Sequence, residues 1–287
     1  MHISEINIFP IKSLKGISLD GALVEARGLQ YDRRWMLTDE SGMFFTQREF
    51  PKMATISVEI TKKGLLVSAD QTTGIVIPFQ PEPQRIQQVT IWQSVCPAEV
   101  YSDGVNDWFS QVLDTKCQLV YMPDDSRRSV NQRFDHGRDI VSFADGYPLM
   151  LLGESTLADL NSRLETELPM NRFRPNIVVS GSDAFAEDNW TRIRIGDAVF
   201  RSTKPCERCV VTTVEQTTGE FSGKEPLKTL ASYRIAKTVM PERYEALGVG
   251  ENAVLFGQNL IAETPGVTMR TGDEVEVLDG LVEALAG

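Results

Sequence analysis

Residues 35–46 have the sequence WMLTDESGMFFT, and this stretch gives the clearest indication of the fold. Two short apolar runs, Trp35–Thr38 and Met43–Thr46, flank the residues Asp39-Glu40-Ser41-Gly42. Asp, Ser and Gly favour tight turns because they hydrogen-bond locally or adopt positive φ. Short apolar runs joined by such a turn predict a β-hairpin.

Similar β-rich segments lie on both sides of this hairpin, whereas helical periodicity is rare. Segments typical of strands occur at 54–61, 65–68, 74–79, 89–92, 176–180, 193–201, 209–215, 254–262 and 267–278. Val105, Phe109 and Val112 share one helical face after Asp103, a candidate N-cap. Further helices are predicted from about Ser155 and around 227–236. The chain is therefore predicted to be mostly β with some α, an α+β protein with a barrel-like or sandwich first half.

Composition restricts the function classes. The chain has 287 residues, of which 41% are apolar and 24% charged, as in a globular protein. Its formal net charge of -11 argues against binding to a nucleic acid backbone. No apolar run approaches the ~20 residues of a membrane span. Four cysteines and no leader-like segment favour a reducing compartment, so we expect a cytoplasmic protein that binds no membrane.

The segment Lys204-Pro205-Cys206-Glu207-Arg208-Cys209 is the strongest chemical signal. A CxxC pair can belong to a zinc site, but the chain has no second pair and only two histidines. A redox dithiol usually lies at a helix N-terminus, and the β-branched run after Cys209 predicts a strand. Two thiols of a core strand remain an alternative. The last interpretation is a thiolate ligand to a soft metal within a larger cofactor.

Basic residues at strand ends fit a cofactor that carries a phosphate. Lys12 and Ser13 follow the first strand, and Arg33 and Arg174 each precede an apolar strand. Guanidinium groups bind phosphate oxygens with two parallel hydrogen bonds. For each of these cations taken alone, a solvated charge or a surface ion pair is the more usual interpretation. Histidine-based catalysis and nucleotide-binding loops have no support in the sequence.

Four segments together resemble the MOSC proteins, a family named for the C-terminal domain of molybdenum cofactor sulfurase. They are FPIKS (9–13), DRRW (32–35), FRPNIVV (173–179) and the Cys206 segment. The likeness is greatest to the mitochondrial amidoxime-reducing components and the YcbX-type bacterial proteins. It implies a β-barrel-like N-terminal domain, residues 1–122, packed on a β-barrel MOSC domain, residues 123–287, with molybdenum cofactor between them.

The resemblance also implies roles for particular residues. Cys209 would be the protein sulfur ligand to molybdenum. Asp183 would lie near the metal and could relay a proton. The residues implied to hold the cofactor are Lys12, Ser13, Arg33, Gly146, Tyr147, Arg174 and Asn259. Cys206 would only neighbour the site.

The activity that the resemblance implies is the reduction of small N-hydroxylated compounds, namely amidoximes, hydroxamic acids and N-hydroxylated base analogues. A separate reductase, a flavoprotein or a ferredoxin, would supply the electrons. An alternative is a sulfur carrier that handles persulfide on Cys209.

Overall fold

The computed structural model describes residues 1–82 and 85–280. Within them, no helix has the length and apolar character needed to cross a membrane. The strands are β1 (His2–Ile8), β2 (Ile17–Leu19), β3 (Gly21–Glu25), β4 (Gly28–Leu29), β5 (Trp35–Thr38), β6 (Ser57–Thr61), β7 (Gly64–Ser68), β8 (Ile75–Ile77), β9 (Ile86–Ile91), β10 (Ser94–Val100), β11 (Gln118–Tyr121), β12 (Leu149–Gly153), β13 (Ile177–Ser180), β14 (Trp190–Ile195), β15 (Ala198–Glu207), β16 (Val214–Glu215), β17 (Glu220–Phe221), β18 (Leu255–Ala262), β19 (Thr268–Arg270) and β20 (Val275–Gly280). The α-helices are α1 (Asp103–Leu113), α2 (Glu154–Asn161), α3 (Leu227–Ala231) and α4 (Ala236–Val239).

An eight-stranded sheet connects the two ends of the chain. Its order is β2-β1-β13-β12-β18-β15-β14-β20. β1 pairs antiparallel with β13, and β12 pairs parallel with β13. β3, from the first quarter of the chain, likewise pairs with β19. A smaller sheet has the order β5-β11-β10-β9. Strands from the two ends therefore form common sheets, while the domain boundary at 122/123 stays a prediction.

Alternating apolar residues explain why these segments form strands. In β1, Ile3, Ile6 and Ile8 are buried in a core with residues of β13 and β18. A second core packs Trp35 and Leu37 of β5 against Phe109 of α1. Burial of one face of each element supplies the stabilisation, since each apolar side chain contributes about 1.5–3 kcal/mol.

The predicted fold class is confirmed, and the mostly β chain contains few helices. The hairpin of residues 35–46 forms through a bridge between Thr38 and Phe44. Two local predictions are wrong. Ser102, not Asp103, is the N-cap residue of α1, which begins at Asp103. The predicted strand 209–215 is instead a 3₁₀ helix, Val210–Thr213, followed by the two-residue β16.

The backbone conformation at position 257 in β18 requires a glycine. Replacing Gly257 therefore tests the packing of the eight-stranded sheet. Its φ is +82°, and an added Cβ would lie 2.8 Å from the Leu151 carbonyl oxygen and 2.9 Å from Met150 Sδ. We expect Gly257→Ala to lower the free energy of unfolding by about 2 kcal/mol or more, because positive φ strains any side chain and the backbone here cannot yield. Urea denaturation measures the change.

Gly104→Ala is the matched control for this substitution. Gly104 lies in α1, and a Cβ there meets nothing within 4 Å. Ala favours a helix over Gly by about 1 kcal/mol, so this variant should be slightly more stable than the wild type. Equal stabilities of the two variants would contradict the role given to Gly257.

Candidate active site

A cavity of about 210 Å³ lies where the two ends of the chain meet. Its walls come from the segments around residues 12, 33, 47, 146, 173 and 208 and from β18. Six lining residues are basic and two are acidic, although the whole chain has a net charge of -11. The basic residues are Lys12, Arg33, Arg48, Arg172, Arg174 and Arg208, and the acidic residues are Asp145 and Glu207. The cavity is therefore a positively charged site on an acidic protein, which suits an anionic ligand.

Cys209 lies on the cavity wall, at the N-terminus of the 3₁₀ helix Val210–Thr213. Two arginines fix the backbone on either side of it. Arg208 donates from Nε to the Phe256 carbonyl at 2.8 Å and from Nη1 to the Phe173 carbonyl at 3.1 Å. Arg172, almost completely buried, donates to the Thr212 carbonyl at 3.0 Å and pairs with Glu215 at 2.9 Å. The thiol is thereby presented by a rigid turn.

Arg33 and Arg174 form a pair of like charges against one aromatic ring. Their guanidinium carbons lie 4.3 and 4.1 Å from the centre of the Phe9 ring. Arg33 also donates to Asp32 and Asn176, and Arg174 donates to the Leu14 carbonyl. Burial, together with the neighbouring charge of Arg33, lowers the pKa of Arg174 to about 9. A bound anion would relieve the repulsion between the two cations.

The backbone is strained at three of the predicted ligand-binding positions. Ser13, Arg33 and Arg174 have φ of 69°, 48° and 54°, in the left-handed region. Residues other than Gly adopt this region at a cost of about 1–3 kcal/mol and do so often at binding sites. Strain at three residues lining one cavity supports a binding role for that cavity.

Lys12 and Asp145 form an ion pair at the cavity, in which Lys12 is buried and Asp145 is exposed to solvent. The Lys12 side chain is 7% exposed and that of Asp145 is 54% exposed. Lys12 Nζ donates to Asp145 Oδ1 and, at 2.9 Å, to the Phe143 carbonyl. Burial lowers the pKa of Lys12 to about 8, against the opposing effect of Asp145. Burial alone would raise the pKa of Asp145, but Lys12 and Arg48 hold it well below its ordinary value.

Arg48 is a site residue that the sequence did not reveal. Its Nη2 donates to Cys209 Sγ at 3.1 Å and lies 3.8 Å from Asp145 Oδ2. The two residues are separated by 161 positions in the chain. A guanidinium at this distance stabilises an anionic sulfur. No local pattern distinguishes Arg48 from the other arginines of the sequence, so only the fold could identify it.

Four further residues singled out in the sequence also lie at the cavity. Gly146, Tyr147 and Asn259 line the cavity, and no acceptor within the described residues 1–82 and 85–280 binds the backbone N–H of Gly146 or Tyr147. Asn259 donates from its side chain to the Lys204 carbonyl at 3.1 Å. Cys206 also lines the cavity but packs against an apolar cluster, and burial raises the pKa of its thiol.

Asp183 does not belong to this group. It is exposed in the turn after β13 and is not among the residues that line the cavity. Its carbonyl accepts a hydrogen bond from the Ala186 N–H within that turn. The structure therefore gives no support to the expectation that Asp183 lies near a metal, and the acidic groups at the cavity are Asp145 and Glu207.

The residues present fit a cofactor that brings most of its own metal ligands. Among the described residues, no group of three or more His, Cys, Asp and Glu side chains lies close enough to hold a metal ion. Cys209 can provide a soft ligand in the cavity, whereas the thiol of Cys206 packs against an apolar cluster and has a raised pKa, and the cations around Cys209 can bind an anionic tail. A pterin cofactor that carries a phosphate needs both a soft ligand for its metal and cations for its phosphate.

The lowered pKa of Lys12 predicts pH-dependent anion binding. At pH 7 the ammonium is charged and attracts anions, whereas above about pH 8 it loses its proton in the ligand-free protein. A bound anion favours the charged form, so affinity should fall as pH rises above about 8, by up to tenfold per pH unit. Isothermal titration with inorganic phosphate between pH 6.5 and 9.5 measures this slope. Lys12→Met should remove the part of the slope that begins near pH 8, whereas the part above about pH 9, to which Arg174 contributes, should remain. An unchanged slope between pH 8 and 9 in that variant would refute the assignment.

Comparisons with known proteins agree with this architecture. The family models for the MOSC N-terminal beta barrel domain and the MOSC domain match residues 1–116 and 138–276. The mouse protein named mitochondrial amidoxime-reducing component 1 is 35% identical, over 96% of this chain and 82% of its own length. Its human counterpart is 33% identical over the same shares. A rice molybdenum cofactor sulfurase is 33% identical over 90% of this chain but 34% of its own length. The chain belongs to the MOSC family.

Proposed function

We propose that this protein is a molybdenum cofactor-dependent oxidoreductase that reduces small N-hydroxylated compounds. The observation that carries the proposal is the position of Cys209, whose thiol lies on the wall of a cavity lined by six basic residues. The names of the mouse and human relatives, which cover nearly the whole chain, indicate amidoximes as the substrate class.

The residues of the cavity divide into two roles in this proposal. Cys209 would hold the metal, with Arg48 beside its sulfur. Lys12, Ser13, Arg33 and Arg174 would hold the phosphate and pterin, and Gly146 and Tyr147 would contribute backbone N–H groups, together with the side chain of Asn259. When bound, the cofactor supplies the two electrons that, with two protons, convert the N–OH group to N–H and water.

The chain's own groups orient the substrate and control charge near it. The low pKa of Asp145 keeps its carboxylate ionised at neutral pH, so it can accept a hydrogen bond from an N–OH or amidine group but not donate a proton. The protein would take its electrons from a separate reductase, a flavoprotein or a ferredoxin.

A second function, persulfide handling on Cys209, is compatible with the same contact. Arg48 Nη2 lies 3.1 Å from Cys209 Sγ and would stabilise an anionic sulfur on either a thiolate or a persulfide. The rice relative named molybdenum cofactor sulfurase matches this chain over about a third of its own length.

One experiment separates the two functions. The protein is produced in a host that makes molybdenum cofactor, and metal, pterin and persulfide are measured on the purified chain. We expect about one molybdenum with its pterin, and reduction of benzamidoxime with a chemical electron donor. Persulfide on Cys209 without metal would favour the second function. Full cofactor loading without reduction of any N-hydroxylated compound would refute the reductase.

A further inference from the structure

Trp92 occupies an unusual position in the turn between β9 and β10. The turn contains only Trp92 and Gln93, because Ile91 pairs with Ser94. Trp92 has a φ of 54°, and the residue is 49% exposed. Two-residue hairpin turns with positive φ at this position favour Gly or Asn, and a bulky residue there is strained. The chain thus holds a large apolar ring in solvent at a position where the backbone disfavours it.

The indole is held beside the cavity by two ring contacts, and its N–H also helps to lower the pKa of Asp145. The Phe44 ring meets it in an edge-to-face arrangement with 5.1 Å between the ring centres. The guanidinium carbon of Arg48 lies 4.7 Å from the centre of the indole. Arg48 is the residue that donates to Cys209 Sγ, so a single guanidinium group lies between the ring and the sulfur. Trp92 therefore stands at the rim of the cavity although it is not part of the cavity lining.

The charged lining leaves substrate selection incomplete. Lys12, Arg33, Arg48 and Arg174 attract anionic and polar groups, and they do not distinguish substrates that share the same N–OH group but differ in their apolar part. Aromatic rings attract other planar rings by stacking and by burial of apolar surface. Half of the Trp92 side chain is open to solvent and available for such a contact.

We propose that Trp92 is a substrate-binding residue that stacks on the aromatic part of N-hydroxylated substrates at the mouth of the cavity and gives the enzyme a preference for aryl over alkyl compounds. This inference rests on the proposed reductase function. The aryl group of the substrate takes the place of solvent on the exposed part of the indole, while the N–OH group points towards Cys209.

The test compares benzamidoxime with acetamidoxime, which lacks the ring, using cofactor-loaded protein and a chemical electron donor. Trp92→Gly removes the indole and relaxes the backbone, so the turn should still form. We expect it to lower the ratio of kcat/KM for benzamidoxime to that for acetamidoxime about fivefold, chiefly through a higher KM for benzamidoxime. Trp92→Phe, which keeps an aromatic ring, should retain most of the wild-type ratio.

Val95→Ala is the matched control. Val95 lies on β10 of the same hairpin and is 62% exposed, so this substitution removes exposed apolar surface close to Trp92 without touching the indole. It should leave the substrate ratio at the wild-type value. Molybdenum content is measured in each variant, so that any effect of Trp92 on Arg48 and cofactor retention is seen separately.

The outcomes distinguish the inference from the proposed function. Equal losses of kcat/KM for both substrates in Trp92→Gly, or the same substrate ratio in Trp92→Phe as in Trp92→Gly, would show that Trp92 only supports Arg48 and Asp145 and would overturn the inference alone. Loaded wild-type protein that reduces neither substrate would overturn the reductase. Titration of benzamidoxime also tests binding directly, because it should quench part of the tryptophan fluorescence in the wild type and less in Trp92→Phe, which keeps the other three tryptophans. Equal quenching in the two proteins would overturn the inference.

Discussion

Purified Cys209→Ala protein is expected to contain almost no molybdenum, and the proposed reductase activity should fall more than about 100-fold. In the proposed function Cys209 is the soft ligand to the metal, and the surrounding cations would bind the organic part of the cofactor rather than the metal. Loss of groups that merely orient metal ligands already costs about 10- to 100-fold in affinity or activity, so loss of the ligand itself should cost more. Elemental analysis of the purified chain and benzamidoxime turnover measure the two effects.

Cys206→Ser is the matched control for this prediction. Cys206 is three residues away, lines the same cavity and packs against an apolar cluster. This variant should retain molybdenum and most of the activity. If both variants lost the metal equally, or if Cys209→Ala kept it, the assignment of Cys209 as the metal ligand would be wrong.

Arg174→Gly should weaken retention of the cofactor about 10- to 100-fold. Charge-assisted hydrogen bonds contribute about 1.5–3 kcal/mol each, and Arg174 faces the cavity beside a second guanidinium. Gly removes the side chain and also the strain of a φ of 54°, so the free energy of unfolding should change less than in Arg174→Ala. Pterin released from the purified protein reports binding, and urea denaturation reports stability.

Arg192→Ala provides a control for general loss of positive charge. Arg192 pairs with Glu263 on the exposed face of β14, and its side chain is 47% exposed. The pterin content of this variant should equal that of the wild type. A loss of pterin as large as in Arg174→Gly would mean that overall charge, and not the geometry of the cavity, governs retention.

The sequence predicts those parts of the fold that depend on neighbouring residues. The hairpin of residues 35–46 and the one that β6 and β7 form were predictable because turn residues separate the apolar runs. The structure of the segment after Cys209 was not predictable in this way. Its β-branched residues favour a strand, but Arg172 binds the Thr212 carbonyl and the chain follows a 3₁₀ turn instead. A contact between distant segments overrides the local preference.

The candidate site shows the same limit. Lys12, Ser13, Arg33 and Arg174 stand out in the sequence as polar residues at strand ends, and the structure brings them to one cavity with Cys209. The expectation for Asp183 came from the resemblance alone, and the structure places that residue in an exposed turn. Arg48 could not be predicted, because its hydrogen bond to Cys209 joins residues 161 positions apart.

The pairing of β1 with β13 affects how this protein folds during synthesis. The two strands are joined across about 174 positions, as in the contact between Ser4 and the Val178 carbonyl. Ribosomes add about 5–20 residues per second, so β1 waits roughly 9–35 s for its partner. During that time its apolar face and its unpaired edge are exposed to other nascent chains. The cavity, whose lining runs from Lys12 to Asn259, is complete only late in translation.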